Sequence, residues 1–200
     1  MELELKKECL DTYEPGEPQT LTQEETTETI VPDYCPDIAR IISAEGTVYL
    51  HGGAEQEGLS GTVRVTVLYT QENETGVRAL EFALPFTAQG EGLSDCTHVA
   101  AETEIELLES RMLNPRKIFT RCKLVTHLTG YRKVCLSLSS DVETLPEQRV
   151  EKRCCGQAAT LLRQIAEKDL TFSETMSLSL GREGAAELLH CRTSGTVTET

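Results

Sequence analysis

The 200-residue chain contains no tryptophan, and aromatic residues make up only 4% of it. A flat aromatic platform for stacking sugar rings is therefore poorly supplied. Basic residues are also scarce, since 19 lysines and arginines stand against 33 aspartates and glutamates and the formal net charge is −14. A surface of this sign repels nucleic-acid phosphates and anionic lipid headgroups. The composition argues against a nucleic-acid partner and against binding to a membrane.

Long apolar runs are missing as well. Crossing a bilayer takes roughly 20 consecutive apolar residues, and the longest runs in this chain are only a few residues long. The N-terminus, MELELKKECLD, has no apolar stretch typical of a secretory signal. We therefore expect a cytoplasmic protein without membrane insertion. Its hydrophobic content of 38% is still sufficient for a folded core.

Motifs for catalysis and for cofactor binding are absent from the sequence. It contains no phosphate loop, dinucleotide fingerprint, nucleophile elbow or zinc-protease helix. Acidic rows such as Glu102, Glu104 and Glu106 lack the Asp/Asn/Gly loop of calcium sites, so we interpret them as a solvated sheet face. The scattered histidines are interpreted as surface or strand residues: His51, His98, His127 and His190. We expect no enzyme activity, no cofactor and no metal.

The chain has eight cysteines but no C-x-x-C pair that would place two thiolates on one metal. An even number is compatible with disulfides. Because no export signal is visible, the prediction is that the thiols are reduced and act as small apolar residues.

Alternation of apolar and polar residues predicts β-strands along most of the chain. It is clearest over residues 59–69, where Val63, Val65, Val67 and Tyr69 share one parity. Gly130 interrupts the longest run and predicts a bend or bulge. Similar patterns occur at residues 41–50, 80–86, 99–107 and 117–138, with turn signals at residues 71–76, 89–92 and 114–115. These features predict an all-β fold, an antiparallel sandwich or meander.

The last third of the chain is less regular. An apolar stripe at helical spacing allows one short helix near residues 157–168, although a strand is an alternative there. Shifting the chain by 149 residues aligns the segment after residue 169 with the one after residue 20, which suggests a partial second β repeat. The predicted organisation is a β domain over residues 1–140, a linker over 141–168 and a truncated or degenerate second copy over 169–200.

One segment carries two Pro-Asp steps four residues apart. It has the sequence IVPDYCPDIARI, residues 30–41, and the second step can begin a single helical turn. A structural corner between two strands explains it, and a partner-binding loop is the alternative. The candidate partner-binding residues are Pro32, Asp33, Tyr34, Pro36, Asp37 and Arg40.

At this segment the chain resembles the SPOCS domain of the SipL-like family of clostridial spore-morphogenesis proteins. The matching pieces are LELKKE (3–8), IVPDYCPDIARI (30–41), EGTV (45–48), VRVTVLY (63–69), LEFALPF (80–86) and LNPRKI (113–118). The resemblance implies tandem β modules and a mother-cell protein at the forespore surface that binds a SpoIVA-like coat-basement ATPase. The LysM domain that follows in such proteins is not in this sequence.

The primary hypothesis is a non-enzymatic structural module for protein–protein interaction, which the resemblance places in spore-envelope (coat or cortex) assembly. Self-association by β-augmentation through an exposed strand edge is one expected mode. The alternative hypothesis is a carbohydrate-binding or peptidoglycan-binding β module, which glycan pelleting would distinguish.

Overall fold

The computed structural model describes residues 4–51, 58–72 and 75–143, together with 151, 153, 160–163, 173, 175, 177 and 189–191. Within these ranges the chain forms seven strands and no helix. The strands are β1 (Glu4–Pro15), β2 (Gln19–Ile30), β3 (Ile38–His51), β4 (Leu59–Gln71), β5 (Val77–Ala88), β6 (His98–Asn114) and β7 (Lys117–Glu143).

The strands form two antiparallel sheets. In the larger sheet β7 is central, with β6 along one edge and β2 and β1 along the other. β1 pairs with the C-terminal part of β7 and β2 with its N-terminal part, and between them the Gly16 amide donates to the Gly130 carbonyl at 2.8 Å. The smaller sheet has the order β3-β4-β5. The prediction of an all-β antiparallel fold is confirmed.

The core lies between the two sheets, as the alternation predicted. Val63, Val65 and Val67 on β4 are fully buried. They belong to one apolar cluster with Ile118 and Leu124 on β7. Because a strand points alternate side chains to opposite faces, this period-two pattern puts one face of each sheet into a shared interior.

Glycines mark the places where backbones come close. A Cβ at Gly46 would lie 2.8 Å from the Ile105 side chain of the opposite sheet, so a larger residue there would displace that side chain. Gly130 does not form the predicted bend or bulge. It pairs regularly with Val99. Its missing side chain leaves room for the side chain of Cys96, which lies in the connection between β5 and β6.

The parity predicted for β6 fails at Leu107. A register shift between Ile105 and Leu107 places Leu108 opposite the buried Cys122, while Leu107 is exposed. A bulge of this kind moves every later side chain to the other face of the sheet.

Strands β1 and β2 were not predicted from the apolar pattern because few of their inward positions are apolar. In β2 every second side chain is exposed, and the sequence QTLTQEETTETI is rich in threonine and glutamate. Several of these acidic residues form ion pairs across the sheet. Lys117 pairs with Glu28, and Arg121 pairs with Glu24. The Glu24 carboxylate is exposed on the sheet, and its pKa is lowered chiefly by the hydrogen bond from Arg121.

The cysteines differ from the expectation of eight reduced thiols. Cys9 on β1 and Cys135 on β7 form a disulfide with a Cα–Cα distance of 5.6 Å. Both side chains are exposed, so they are not small core residues. Asp11 is the residue opposite Cys135 in the antiparallel ladder. Cys9 lies two residues before Asp11 and on the same face of the strand, so the two cysteines are diagonal neighbours. Cys122, by contrast, is a free thiol buried in the core, and burial raises its pKa to about 11.

The predicted helix near residues 157–168 is not present in the part that the structure describes. Residues 160–163 are not helical, and Leu162 forms a β-bridge with Tyr13. The Thr12 hydroxyl also donates to the Leu162 carbonyl at 3.0 Å. The rest of that segment, and almost all of the predicted repeat over 169–200, lie outside the described residues.

Candidate functional site

Residues 31–37, named here the Pro-Asp loop, cross from β2 in the larger sheet to β3 in the smaller one. A β-turn begins at the first Pro-Asp step, where the Cys35 amide donates to the Pro32 carbonyl at 2.8 Å. The helical turn expected at the second step does not form. Ile38 instead enters β3 directly, because its amide donates to the Pro115 carbonyl at 2.9 Å.

A single arginine from another part of the chain holds this loop. Arg116 lies in the two-residue turn between β6 and β7, where its amide donates to the Asn114 side chain at 2.9 Å. Its Nη1 donates to the Cys35 carbonyl at 2.7 Å, and its Nη2 donates to the Val31 carbonyl at 2.9 Å. The guanidinium therefore bonds the two backbone segments on either side of the turn at once, as its planar fork of donors allows.

The same guanidinium bonds both aspartates of the repeated Pro-Asp step. Nη2 is 3.2 Å from Oδ1 of Asp33, and Nη1 is 3.1 Å from Oδ1 of Asp37. The spacing of four residues between the two aspartates thus has a structural purpose, since each carboxylate reaches one side of the same arginine. We name Arg116 with Asp33 and Asp37 the arginine clasp.

Backbone hydrogen bonds reinforce the clasp. The Val31 amide donates to the Arg116 carbonyl at 2.9 Å, and the Glu72 amide, just after β4, donates to the Asp37 carbonyl at 3.2 Å. Val31 and Ile38, at the two ends of the loop, are buried in the core. A loop that is held by hydrogen bonds at both ends is pre-organised, so it loses little conformational entropy when it binds a partner.

One large side chain is left free at the tip of the loop. Tyr34 is 88% exposed, while its neighbour Cys35 is half-buried and packs against the core. Ile30, the last residue of β2, is also 70% exposed. The structure therefore presents an aromatic and an aliphatic side chain from a rigid base.

The six candidate residues separate into different roles. Asp33 and Asp37 belong to the clasp, and Tyr34 forms the exposed tip. Pro32 is half-buried at the start of the turn. The two remaining candidates are exposed, Pro36 in the loop and Arg40 on β3.

The residue that sequence reasoning missed is Arg116. The turn Asn-Pro-Arg-Lys contributed to the family resemblance, but its arginine was not among the candidate residues. The signal that could have found it is the presence of two aspartates at fixed spacing in one loop and one arginine in a tight turn, although nothing in the sequence places those segments together.

Beneath the loop lies Tyr69 of β4, which is fully buried. Its hydroxyl makes no hydrogen bond to an oxygen or nitrogen atom of the residues that the structure describes. Burial first, and then the adjacent Cys35 thiol, raise the pKa of Tyr69, while the charges of Arg78 and Arg116 lower it in part. These neighbours place the hydroxyl at the loop end of the sandwich.

The described residues contain no group of three or more side chains that could hold a metal ion. His127 is exposed, with its Nδ1 3.1 Å from the Thr20 hydroxyl, and Cys122 points to the opposite, buried face.

A cavity of about 770 Å³ lies between β3 and β6. Its lining includes Ile41, Leu108 and Arg121. Of its two arginines, Arg121 is paired with Glu24, as described above, and Arg111 lies over the Phe119 ring.

Comparison with known proteins finds no matching family model, no similar curated protein and no similar solved structure. In the described part of the chain, no helix has the length and apolarity needed to span a bilayer.

Proposed function

We propose that this chain is a non-enzymatic protein-interaction module whose recognition surface is the Pro-Asp loop. The observation that carries the proposal is Tyr34, an exposed aromatic side chain on a loop fixed by the arginine clasp. Tyrosine is among the residues that supply most of the binding energy in protein interfaces. An aromatic side chain held in water contributes no apolar burial to folding.

The clasp gives the loop a second property that suits recognition. Because Arg116 and the backbone hydrogen bonds fix the loop before any partner arrives, the entropic cost of ordering it is already met during folding. Binding energy from Tyr34 and Ile30 then contributes directly to affinity. The proposed cellular setting, assembly of the spore envelope in the mother cell, rests on the resemblance to the SPOCS domain, and so does the proposed partner, a SpoIVA-like coat-basement ATPase.

The experiment is a binding titration of the purified chain against a purified coat-basement ATPase of that kind. We expect Tyr34→Ala to weaken binding by about thirtyfold, as for a side chain that contributes ~2 kcal/mol. The matched control is Tyr49→Ala, because Tyr49 is also exposed but lies on β3 beside Arg64. Equal affinities of Tyr34→Ala and the unaltered chain would contradict the proposal. Pelleting with peptidoglycan, unaffected by Tyr34→Ala, would favour the glycan alternative instead.

A further inference from the structure

A cavity of about 350 Å³ lies directly beneath the Pro-Asp loop. This volume is at the lower end of the range for ligand pockets. The cavity wall is formed by Tyr34, Cys35 and Pro36 of the loop, by Tyr69, Arg78 and Ala79 of the smaller sheet, and by Leu189.

The Tyr69 hydroxyl is the first unusual feature of this wall. Buried tyrosine hydroxyls ordinarily find a hydrogen-bond partner, yet this one has none by geometry among the described residues. The Cys35 thiol beside it is only a weak acceptor. The hydroxyl exposes less than 1 Å² to solvent, so it is already desolvated, and an oxygen acceptor that reached it at the cavity wall would be its first oxygen partner.

Arg78 is the second feature. It lies directly opposite Tyr69 in the β4–β5 pair, so both side chains are on the same face of the sheet. Within the described ranges no hydrogen bond or ion pair joins the Arg78 guanidinium to another residue, and the nearby carboxylates of Asp33 and Asp37 are bonded to Arg116 instead. A guanidinium can only donate, which again calls for an acceptor.

We propose that this cavity receives the carboxylate of an aspartate or glutamate side chain from a protein partner, with the Tyr69 hydroxyl and the Arg78 guanidinium as its donors. The inference rests on the proposed function and names the chemistry that the partner must present. Both bonds are charge-assisted, which makes them shorter and stronger than bonds to a neutral carbonyl. Tyr34 at the rim of the cavity then packs against the chain that carries the acidic residue.

The test is an NMR titration of the isotope-labelled 200-residue chain with two small probes. N-acetyl-glutamate N-methylamide carries the carboxylate, and N-acetyl-glutamine N-methylamide is its neutral isostere. We expect saturable shifts at the amides of Cys35, Tyr69 and Arg78 with a millimolar dissociation constant for the acid, and binding at least tenfold weaker for the amide. No saturable shift with the acid, or equal binding of both probes, would overturn the inference.

Two variants and one control assign the donors. Tyr69→Phe and Arg78→Gln should each weaken binding of the acid probe by about tenfold. Tyr69→Phe removes a hydroxyl without a geometric partner, so its urea midpoint should equal or exceed that of the unaltered chain. Arg40→Gln is the matched control, since Arg40 is an exposed arginine on β3, close to the loop in sequence, that does not line the cavity. A loss as large in Arg40→Gln as in Arg78→Gln would reduce the effect to general charge and refute the site.

The outcomes for the cavity and for the proposed function are separable. If Tyr34→Ala abolishes partner binding while Tyr69→Phe and Arg78→Gln leave it unchanged, the cavity is not the carboxylate site and the loop is still the recognition surface. If Tyr34→Ala leaves partner binding unchanged, the proposed function is wrong, and the titration with the two small probes still decides whether the cavity binds a carboxylate.

Discussion

The two parts of strand β7 lie in different surroundings although they form one continuous strand. In residues 117–130, alternate side chains such as Ile118, Cys122 and Leu124 are buried in the core cluster shared with the smaller sheet. Beyond Tyr131, which still pairs with His98 of β6, β7 pairs with β1 alone, and Leu136 and Leu138 remain exposed. We name these the body half and the ribbon half of β7.

The difference shows what holds each part. The body half is stabilised by apolar burial between two sheets. The ribbon half contributes no residue to the core cluster of the described chain, and a two-stranded ribbon is only marginally stable in water. Its described supports include the Cys9–Cys135 disulfide, exposed ion pairs such as Lys133 with Asp11 at 2.8 Å, and the bridge from Tyr13 of β1 to Leu162.

The largest effect should come from removing a core side chain in the body half. We expect Leu124→Ala to lower the free energy of unfolding by about 2–5 kcal/mol, because it deletes apolar contacts and leaves a cavity. Leu138→Ala in the ribbon half, where the side chain is 48% exposed, should change it by no more than about 0.5 kcal/mol. Urea unfolding of both variants measures this. Equal losses would mean that Leu138 is covered in solution and that the contrast between the halves is wrong.

The next largest effect should come from the disulfide. It closes a loop with a sequence separation of 126 residues, and cross-links over long loops typically add about 2–4 kcal/mol. We expect Cys9→Ser to raise hydrogen-exchange rates in β1 and in the ribbon half first, and much less in β4 and the body half. Cys191→Ser, at an exposed free cysteine, is the control. Uniform loss of protection over both halves would show that the ribbon is not a separate unit.

A smaller effect is expected from the arginine clasp. Arg116→Lys keeps the positive charge but cannot bond both carbonyls and both carboxylates, so we expect a loss of about 1–3 kcal/mol. The matched change in the ribbon half is Lys133→Gln, which breaks an exposed ion pair and should have no measurable effect. Urea unfolding of the pair distinguishes a half-buried polar anchor from exposed ones. A destabilisation by Lys133→Gln that matches Arg116→Lys would contradict this.

The effect that is smallest at neutral pH concerns a titrating group in the body half. Burial, and secondarily the charge of Glu25, raise the pKa of Cys122 to about 11 from an ordinary value of 9.0. The folded state therefore keeps this proton where the unfolded chain has lost it, and the stabilisation present below pH 9 declines as the pH rises towards 11. Urea unfolding at several pH values should give a shallower alkaline decline for Cys122→Ala. Identical slopes for the variant and the unaltered chain would contradict the assignment.

The sequence allowed the body of the fold to be predicted, because valine, leucine and phenylalanine carry its period of two in β4, β5 and the body half. It did not reveal β1 and β2, whose inward positions are often threonine, glutamine or glutamate and give no apolar alternation. The arginine clasp could not be predicted because Arg116 is 83 residues from Asp33. The alternation predicted Tyr69 to be a core residue. It did not predict the cavity beside its hydroxyl, because that cavity forms only where β4, β5 and the Pro-Asp loop come together.

The central position of β7 also determines when the chain can complete its structure during synthesis. Strands β1 and β2 leave the ribosome first, yet their partner is the last described strand, and the Cys9–Cys135 pair alone is 126 residues apart. Until β7 is made, both early strands have unpaired backbone edges, which are a hazard for aggregation. The threonine- and glutamate-rich sequence of β2 should lower that hazard, because charged and polar side chains disfavour pairing between unpaired strand edges. Late pairing over such distances also predicts slow folding.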